Sequence, residues 1–507
     1  MDVKDIFSYN WMYLLPEFII LGFATGLSLL DLFAGKRLGR SVIGWLSLAG
    51  VLLASVFVFV NIGSMSEPYA YMADTIRIDD YGNAFKLIFL GGVAFTILLS
   101  MSYLKHGEVK HGGEYYYLLL TGLLGAMVMA SSADLITMFV GLELLSLSSY
   151  VLVGLRKKSL QSNESSFKYV VSGAISTAVT LFGMSYVYGL TGTTNIYQIA
   201  ERLADAAMSG YDFIIYAAFA FLVAGLAFKI SAAPNHMWAP DVYQGAATPV
   251  TAFLAVVSKA AGFALVFRLL LICYFGVQTD TRFFFEQGAL ILAVVAGASM
   301  IIGNTMALRQ TNVKRLMAFS GVAQAGYLLV PFAPPTLLFF GEVTFFLFAY
   351  LLASFGVFAV IMIVARDQQT HDLKGFAGLY HRAPLLAVSM SIFLLSLAGI
   401  PVTAGFFGKF YIFMGAIAQG SYWLAAIMIA TSIVSYYYYF GFIRQMYMRP
   451  GTTEAALSVP KGIGVMVVLL ALATVVFGAF PGLVTEYVHN YLDPSFNFGD
   501  MLPPNFQ

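Results

Sequence analysis

Residues 212–268 read DFIIYAAFAFLVAGLAFKISAAPNHMWAPDVYQGAATPVTAFLAVVSKAAGFALVFR. Two apolar runs, each long enough as a helix to cross most of a hydrocarbon layer about 30 Å thick, flank a stretch broken by Pro234, Pro240, Gly245 and Pro249. From Asp212 to Ala247 the stretch is 36 residues long, so one straight helix does not fit it. Lys229 ends the first run and Lys259 sits in the middle of the second. Irregular backbone at membrane depth is tolerated only where it is buried in protein or lines a water-filled cavity. The expected fold is therefore an all-α polytopic membrane protein whose charges and helix breaks coincide.

The rest of the chain agrees. Of its 507 residues 60% are hydrophobic and only 10% charged, against roughly 25% charged in soluble proteins. A net charge of +1 offers no basic face for phosphate, so no nucleic acid is expected as a partner. Cys273 is the single cysteine, which excludes an internal disulfide and cannot furnish the four thiolates of an iron–sulfur cluster. With no phosphate-binding loop of the G-x-x-x-x-G-K-[ST] type and no G-x-G-x-x-G fingerprint, direct use of ATP or NADH by this chain is not expected. Asp2, Lys4 and Asp5 precede the first apolar run, unlike the basic start of a cleaved signal, so that helix should be retained.

Apolar windows start near residues 12, 41, 81, 114, 134, 167, 212, 248, 286, 313, 336, 383, 420 and 462, which predicts fourteen helices. Eighteen basic residues follow odd-numbered helices, whereas Lys4, Arg77, Arg202 and Arg282 follow even ones or precede the first. The basic side is expected to be cytoplasmic, which places both termini on the outer side, most simply of a bacterial cell membrane. A second break, LSLAGIPVTAGFFGKF at 395–410, interrupts helix 12 just ahead of Lys409. Paired broken helices point to two inverted five-helix repeats, helices 4–8 and 9–13. The expected divisions are an N-terminal three-helix segment at 1–113, repeats at 114–275 and 286–447, and a C-terminal helix with a short tail at 460–507.

Five basic residues lie inside apolar segments. Lys86 and Arg268 stand near helix ends, where a long side chain can snorkel to the headgroups. Lys229, Lys259 and Lys409 are not so placed, and Glu143, nine residues after Asp134 and thirteen before Arg156, is too short to snorkel. Each such charge costs roughly 2.5–3.5 kcal/mol at a helix centre unless paired, hydrated or neutralised. One glutamate against three lysines can make only one ion pair, so a purely structural role is disfavoured and a proton relay fits better. A sodium site would want several hard oxygen ligands instead. His236, within the first break, is a further relay candidate because its imidazole titrates near neutrality. Glu164 and Lys168, four apart at the start of helix 6, are weaker candidates, since that spacing also makes an ordinary surface pair. The YYYYF run at 436–440 is read as interfacial packing.

GLELLSLSSYVLVG at 141–154, the segment from Phe228 to Arg268, QTNVKRLMAFSGVAQAGYLLV at 310–330 and LSLAGIPVTAGFFGKFYIF at 395–413 occur in order. Together they resemble the antiporter-like membrane subunits of NADH-quinone oxidoreductase, respiratory complex I, over about residues 12 to 480. The resemblance implies that Glu143, Lys229, Lys259 and Lys409 form a central proton-carrying axis. A lysine at the helix-12 position is the pattern of the N-type branch, where the M-type has glutamate, and the short tail disfavours the L-type. It also implies that this chain holds no cofactor, that NADH, flavin, iron–sulfur clusters and quinone belong to partner subunits, and that other membrane and peripheral subunits and the lipid bilayer surround it. Asn235, Val402 and Gln324 depart from residues common in the family; the last stands where a histidine is frequent and puts a route through helix 10 in doubt. Rival readings are a subunit of a multisubunit cation/proton antiporter, a membrane scaffold with no proton path, and a free-standing solute transporter.

Overall fold

The computed structural model describes residues 9–34, 39–65, 67–106, 112–274, 277, 284–333, 339–451 and 455–491. Lys4, Lys36, Arg37, Lys110 and Arg282, used in the charge alternation, lie outside the described residues, as does the tail from 492. Helices stand at all fourteen expected places. They are α1 (Leu15–Ala34), α2 (Arg40–Ser64), α3 (Asp80–Tyr103), α4 (Gly112–Ser131), α5 (Leu135–Val153), α6 (Leu160–Thr191) and α7a (Asp212–Lys229) with its continuation α7b (Trp238–Gly245). Then follow α8 (Thr248–Ile272), α9 (Phe284–Ala307), α10 (Val313–Leu329), α11 (Phe339–Gln368), the two halves α12a (Pro384–Ala398) and α12b (Ala404–Ala418), α13 (Tyr422–Met448) and α14 (Lys461–Ala479).

Among the described residues, eleven of these helices are by themselves long and apolar enough to cross a membrane. The exceptions are α4, which opens on Glu114 and three tyrosines, the shorter α10, and α12, which is cut in two. The chain is thus a multi-pass integral membrane protein. Helix α6 starts at Leu160 rather than near 167, because Ser159 accepts a hydrogen bond from the Ser162 amide and caps a polar first turn that reads as loop. A short hairpin, β1 (Tyr69–Tyr71) with β2 (Ile76–Ile78), joins α2 to α3, and an amphipathic helix, Ile196–Met208, follows α6. Neither was expected from the apolar pattern.

Helix α8 is buried along its whole length and α11 nearly so, whereas α1, α6, α13 and α14 bury only about a third of theirs. The peripheral helices turn Leu32, Phe33, Phe167, Ile175, Tyr437 and Leu469 outward, as lipid or apolar partners require. Buried α8 is not a regular helix: Leu254–Ser258 and Phe267–Ile272 form π-helical turns on either side of the segment that begins with Lys259. Such turns recur at functional positions because they re-aim side chains without ending the helix.

The same lacing occurs twice. Before α5 the Leu135 amide donates to Thr194 and the Ile196 amide to Ala133, while Asp134 caps the helix. Before α10 the Val313 amide donates to His371 and the Leu373 amide to Thr311, while Asn312 caps the helix. In each case the loop after the second helix following the tie point reaches back to the start of the first.

Lys86 and Arg268 do not snorkel. Both are fully buried: Lys86 Nζ lies 2.6 Å from Glu17 of α1, and Arg268 meets Asp79 at 2.7 and 2.8 Å. Carboxylates from neighbouring helices, too far off in sequence to be foreseen, make burial of these cations tolerable.

Candidate functional site

Each buried lysine lies at or beside an irregularity of its helix. Lys229 is the last residue of α7a, where the backbone leaves the helix; its ammonium donates to Ser146 Oγ of α5 at 3.0 Å. Glu143 lies three residues, about one turn, earlier on α5, half-buried, and accepts from Thr177 Oγ1 of α6 at 2.8 Å. Among the described residues no ion pair joins Glu143 to a lysine; Ser146 stands between, beside a cavity of roughly 10 Å³ lined also by Tyr150, Ser176, Thr177 and Thr180. That is room for about one water.

The break after Lys229 is braced by side chains that add hydrogen bonds to carbonyls of α7a. Trp238 Nε1 donates to Phe228 O at 3.0 Å and Asn235 Nδ2 to Ala224 O at 2.6 Å, beside the backbone bonds that close the helix end. The Asn235 amide thus has a clear task in bracing the break. His236 is buried in this segment, its Nδ1 3.2 Å from Pro234 O and its ring edge-on to Phe319 of α10.

Lys259 points from α8 to α10, donating to Gly321 O at 2.5 Å, with the Tyr350 ring of α11 5.8 Å away. A methyl group on Gly321 would come within 3.0 Å of the ammonium. Lys409 reaches back from α12b to the end of α12a, donating to Leu397 O at 2.9 Å and Ala398 O at 3.2 Å over the face of Tyr327, 4.5 Å from its centre. A cation there also meets the negative end of the α12a dipole. Gly399 takes φ +83° to close α12a, a conformation that favours glycine.

Between Lys259 and Lys409 runs one face of α10. Gly321, Gln324 and Tyr327 follow at helical spacing, and Gln324 Nε2 donates to the same Leu397 carbonyl that Lys409 uses. Tyr327 Oη contacts Thr431 at 3.0 Å, and Ser320 meets Tyr439 at 2.6 Å. Gln324 cannot replace the acid–base chemistry of a histidine, yet it keeps the polar file continuous. Of these uncharged members only Gln324 stands out in the sequence, because a search for costly charges passes over hydroxyls and bare carbonyls.

Glu164 and Lys168 are placed apart from this file. They pair at 2.7 Å with side chains 64% and 44% exposed, and Lys168 also meets Asp241 of α7b, which in turn meets Arg315 of α10 at 2.5 Å. The surface chain Glu164–Lys168–Asp241–Arg315 ties α6, α7b and α10 together at the basic-loop ends; Asp241 and Arg315 were not singled out from the sequence. Nearby, Arg156, Lys314, Arg366 and His371 line a cavity of about 740 Å³. Burial, together with the Lys314 and Arg156 charges, lowers the His371 imidazole to about 3, so it is neutral at physiological pH.

Residues 132–435 match the family described as NADH:quinone oxidoreductase/Mrp antiporter, transmembrane. NADH-quinone oxidoreductase subunit N of Brevibacillus brevis is 74% identical over the whole of both chains. A chain in the structure of respiratory complex I from Thermus thermophilus with bound aureothin is 31% identical, covers 93% of this chain and 98% of its own length, and has a TM-score of 0.77. A chain of the Mrp complex from Dietzia shares the fold, with a TM-score of 0.81 over 95% of this chain and 98% of its own at 19% identity. The chain belongs to the NADH-quinone oxidoreductase subunit N family, a membrane subunit of complex I with the antiporter-like fold.

Proposed function

We propose that this chain carries protons across the membrane as part of a proton-translocating NADH-quinone oxidoreductase, driven by electron transfer between NADH and quinone in other subunits. One observation carries the reading. Lys229, Lys259 and Lys409 are all buried, and among the described residues each ammonium rests on neutral oxygen acceptors: a serine hydroxyl, one carbonyl, and two carbonyls. Arg268, by contrast, is fixed to a carboxylate by two hydrogen bonds. A buried ammonium hydrogen-bonded only to neutral oxygens can lose its proton without leaving a buried carboxylate unpaired. Such a group exchanges protons; a compensated pair holds them.

Glu143, half-buried one turn from Ser146, sets the field at Lys229; His236 and the α10 face bridge the gaps between lysines through water. Glu164 and Lys168 lie on the rim, where they gather protons from the cytoplasmic side. The twofold lacing at α5 and α10 supports two inverted repeats, 114–275 and 286–447, between an N-terminal segment at 1–113 and a C-terminal one at 460–507. In this reading the protein sits in a bacterial cell membrane with both termini outside. NADH, flavin, iron–sulfur clusters and quinone are held by partner subunits.

The test is the proton-to-electron ratio of the assembled complex in sealed vesicles, wild type against Lys259→Ala, with assembly checked on a native gel. The expected result is a lower ratio or slower coupled turnover with intact assembly. An unchanged ratio in an assembled variant would return the lysines to a structural role.

A further inference from the structure

On the side of the hairpin, two ion pairs are buried between helices, and they are built differently. Asp79 and Arg268 are fully engaged: the carboxylate takes two bonds from the guanidinium and one from the Gly82 amide, while Arg268 also donates to Ala130 O at 2.6 Å and lies over Tyr81. Glu17, in the first turn of α1, and Lys86, about two turns into α3, touch at 2.6 Å and are 8% and 0% exposed. Apart from each other, Lys86 Nζ and both Glu17 oxygens have no hydrogen-bond partner among the described residues. Desolvating two charges is repaid only when further hydrogen bonds satisfy the remaining donors and acceptors. As a clamp between α1 and α3, this pair is inferior to two apolar side chains of the same volume.

Its surroundings lead toward the hairpin. Asp79, Asn83 and Lys86 fall on one face of α3 at i, i+4 and i+7. Asn83 is fully buried, and its Oδ1 has no partner among the described residues. Tyr71 of β1 feels the Glu17 charge, and Asp79, which caps α3 at the foot of the hairpin, is engaged by Arg268. Buried polar groups therefore continue from Lys86 past Asn83 to the foot of the hairpin.

We propose that Glu17 and Lys86 form a proton-exchange site on the hairpin side, separate from the file of Lys229, Lys259 and Lys409. The proposal rests on the proton-carrying reading above. Uptake of one proton from water turns the ammonium–carboxylate pair into an ammonium beside a carboxylic acid. Loss of that proton from Glu17 to water restores the pair, and no other bond changes.

The test uses the assembled complex in sealed vesicles, with Glu17→Gln, the doubly neutral Glu17→Gln/Lys86→Met and the exchanged Glu17→Lys/Lys86→Glu variants, beside Lys259→Ala. The doubly neutral variant leaves no unpaired charge, so it should assemble and oxidise NADH while its proton-to-electron ratio falls. The exchanged variant, which keeps an acid and an amine in contact, should regain part of the lost ratio. A wild-type ratio in the doubly neutral variant overturns the proposal, and so does failure of both double variants to assemble, which would make the pair a structural clamp. If Lys259→Ala lowers the ratio while the doubly neutral variant does not, this site fails alone. If neither variant lowers it, the proton-carrying reading fails with it.

Discussion

Lys409 offers the sharpest test of how the broken helix works, because its ammonium closes the end of α12a. It donates to Leu397 O and Ala398 O and faces the negative end of that helix. A charge-assisted hydrogen bond contributes about 1.5–3 kcal/mol net, and a cation at a partly buried helix C-terminus up to about 2 kcal/mol. Since both describe overlapping contacts, the lysine is worth about 2–3 kcal/mol to the break. Lys409→Gln removes the charge and should cost about 2 kcal/mol. Lys409→Glu turns a carboxylate toward two carbonyl oxygens at a negative helix end, adding about 2 kcal/mol of repulsion for a total of about 4–5 kcal/mol, roughly three decades in the equilibrium holding the break closed. Glutamate should therefore be the worse substitute in this chain. The assay is the thermal midpoint of the assembled, detergent-solubilised complex, with coupled turnover measured in vesicles. A Lys409→Glu variant as stable and as well coupled as Lys409→Gln would refute the assignment of these two carbonyls as its acceptors.

Gly321→Ala should lower coupled turnover without loss of assembly, because its new methyl group would sit 3.0 Å from Lys259 Nζ and force the ammonium off its carbonyl; NADH-driven pumping in vesicles checks this. Arg268→Leu should cost about 3–5 kcal/mol and impair assembly by stranding buried Asp79, whereas Arg268→Leu with Asp79→Asn, which keeps the cap on α3, should recover most of that on a native gel. His371 is held neutral in the folded protein down to about pH 3, while the unfolded chain takes up its proton near pH 6.5. Stability should therefore fall as pH drops below about 6.5, by at most roughly 1.4 kcal/mol per unit from this group. His371→Gln should flatten that slope in thermal unfolding measured between pH 7 and pH 5.

What the sequence determined by itself was set by the cost of putting polar groups in lipid. That cost is local. It fixed the positions of fourteen helices, located the two breaks through Pro234, Pro240, Gly399 and Pro401, and singled out Lys229, Lys259, Lys409 and Glu143, since any charge within an apolar run stands out whatever surrounds it. Who satisfies each charge is a long-range question, and only the tertiary structure decided it. Lys86 and Arg268 looked able to reach the headgroups, yet Glu17, 69 residues earlier, and Asp79, 189 residues earlier, hold them inside. Which groups Glu143 and Lys229 touch was open in the sequence; the structure sets the Glu143 carboxylate on Thr177 and the Lys229 ammonium on Ser146. The α10 file of Gly321, Gln324 and Tyr327 carries no charge, so hydropathy passes over it; packing against α8 and α12 turns a bare carbonyl and an amide into neighbours of two ammonium groups. Hydropathy measures transfer from water one residue at a time, whereas the partner of a buried charge depends on which oxygen lies within about 3 Å of which nitrogen, and that is settled only when the helices pack.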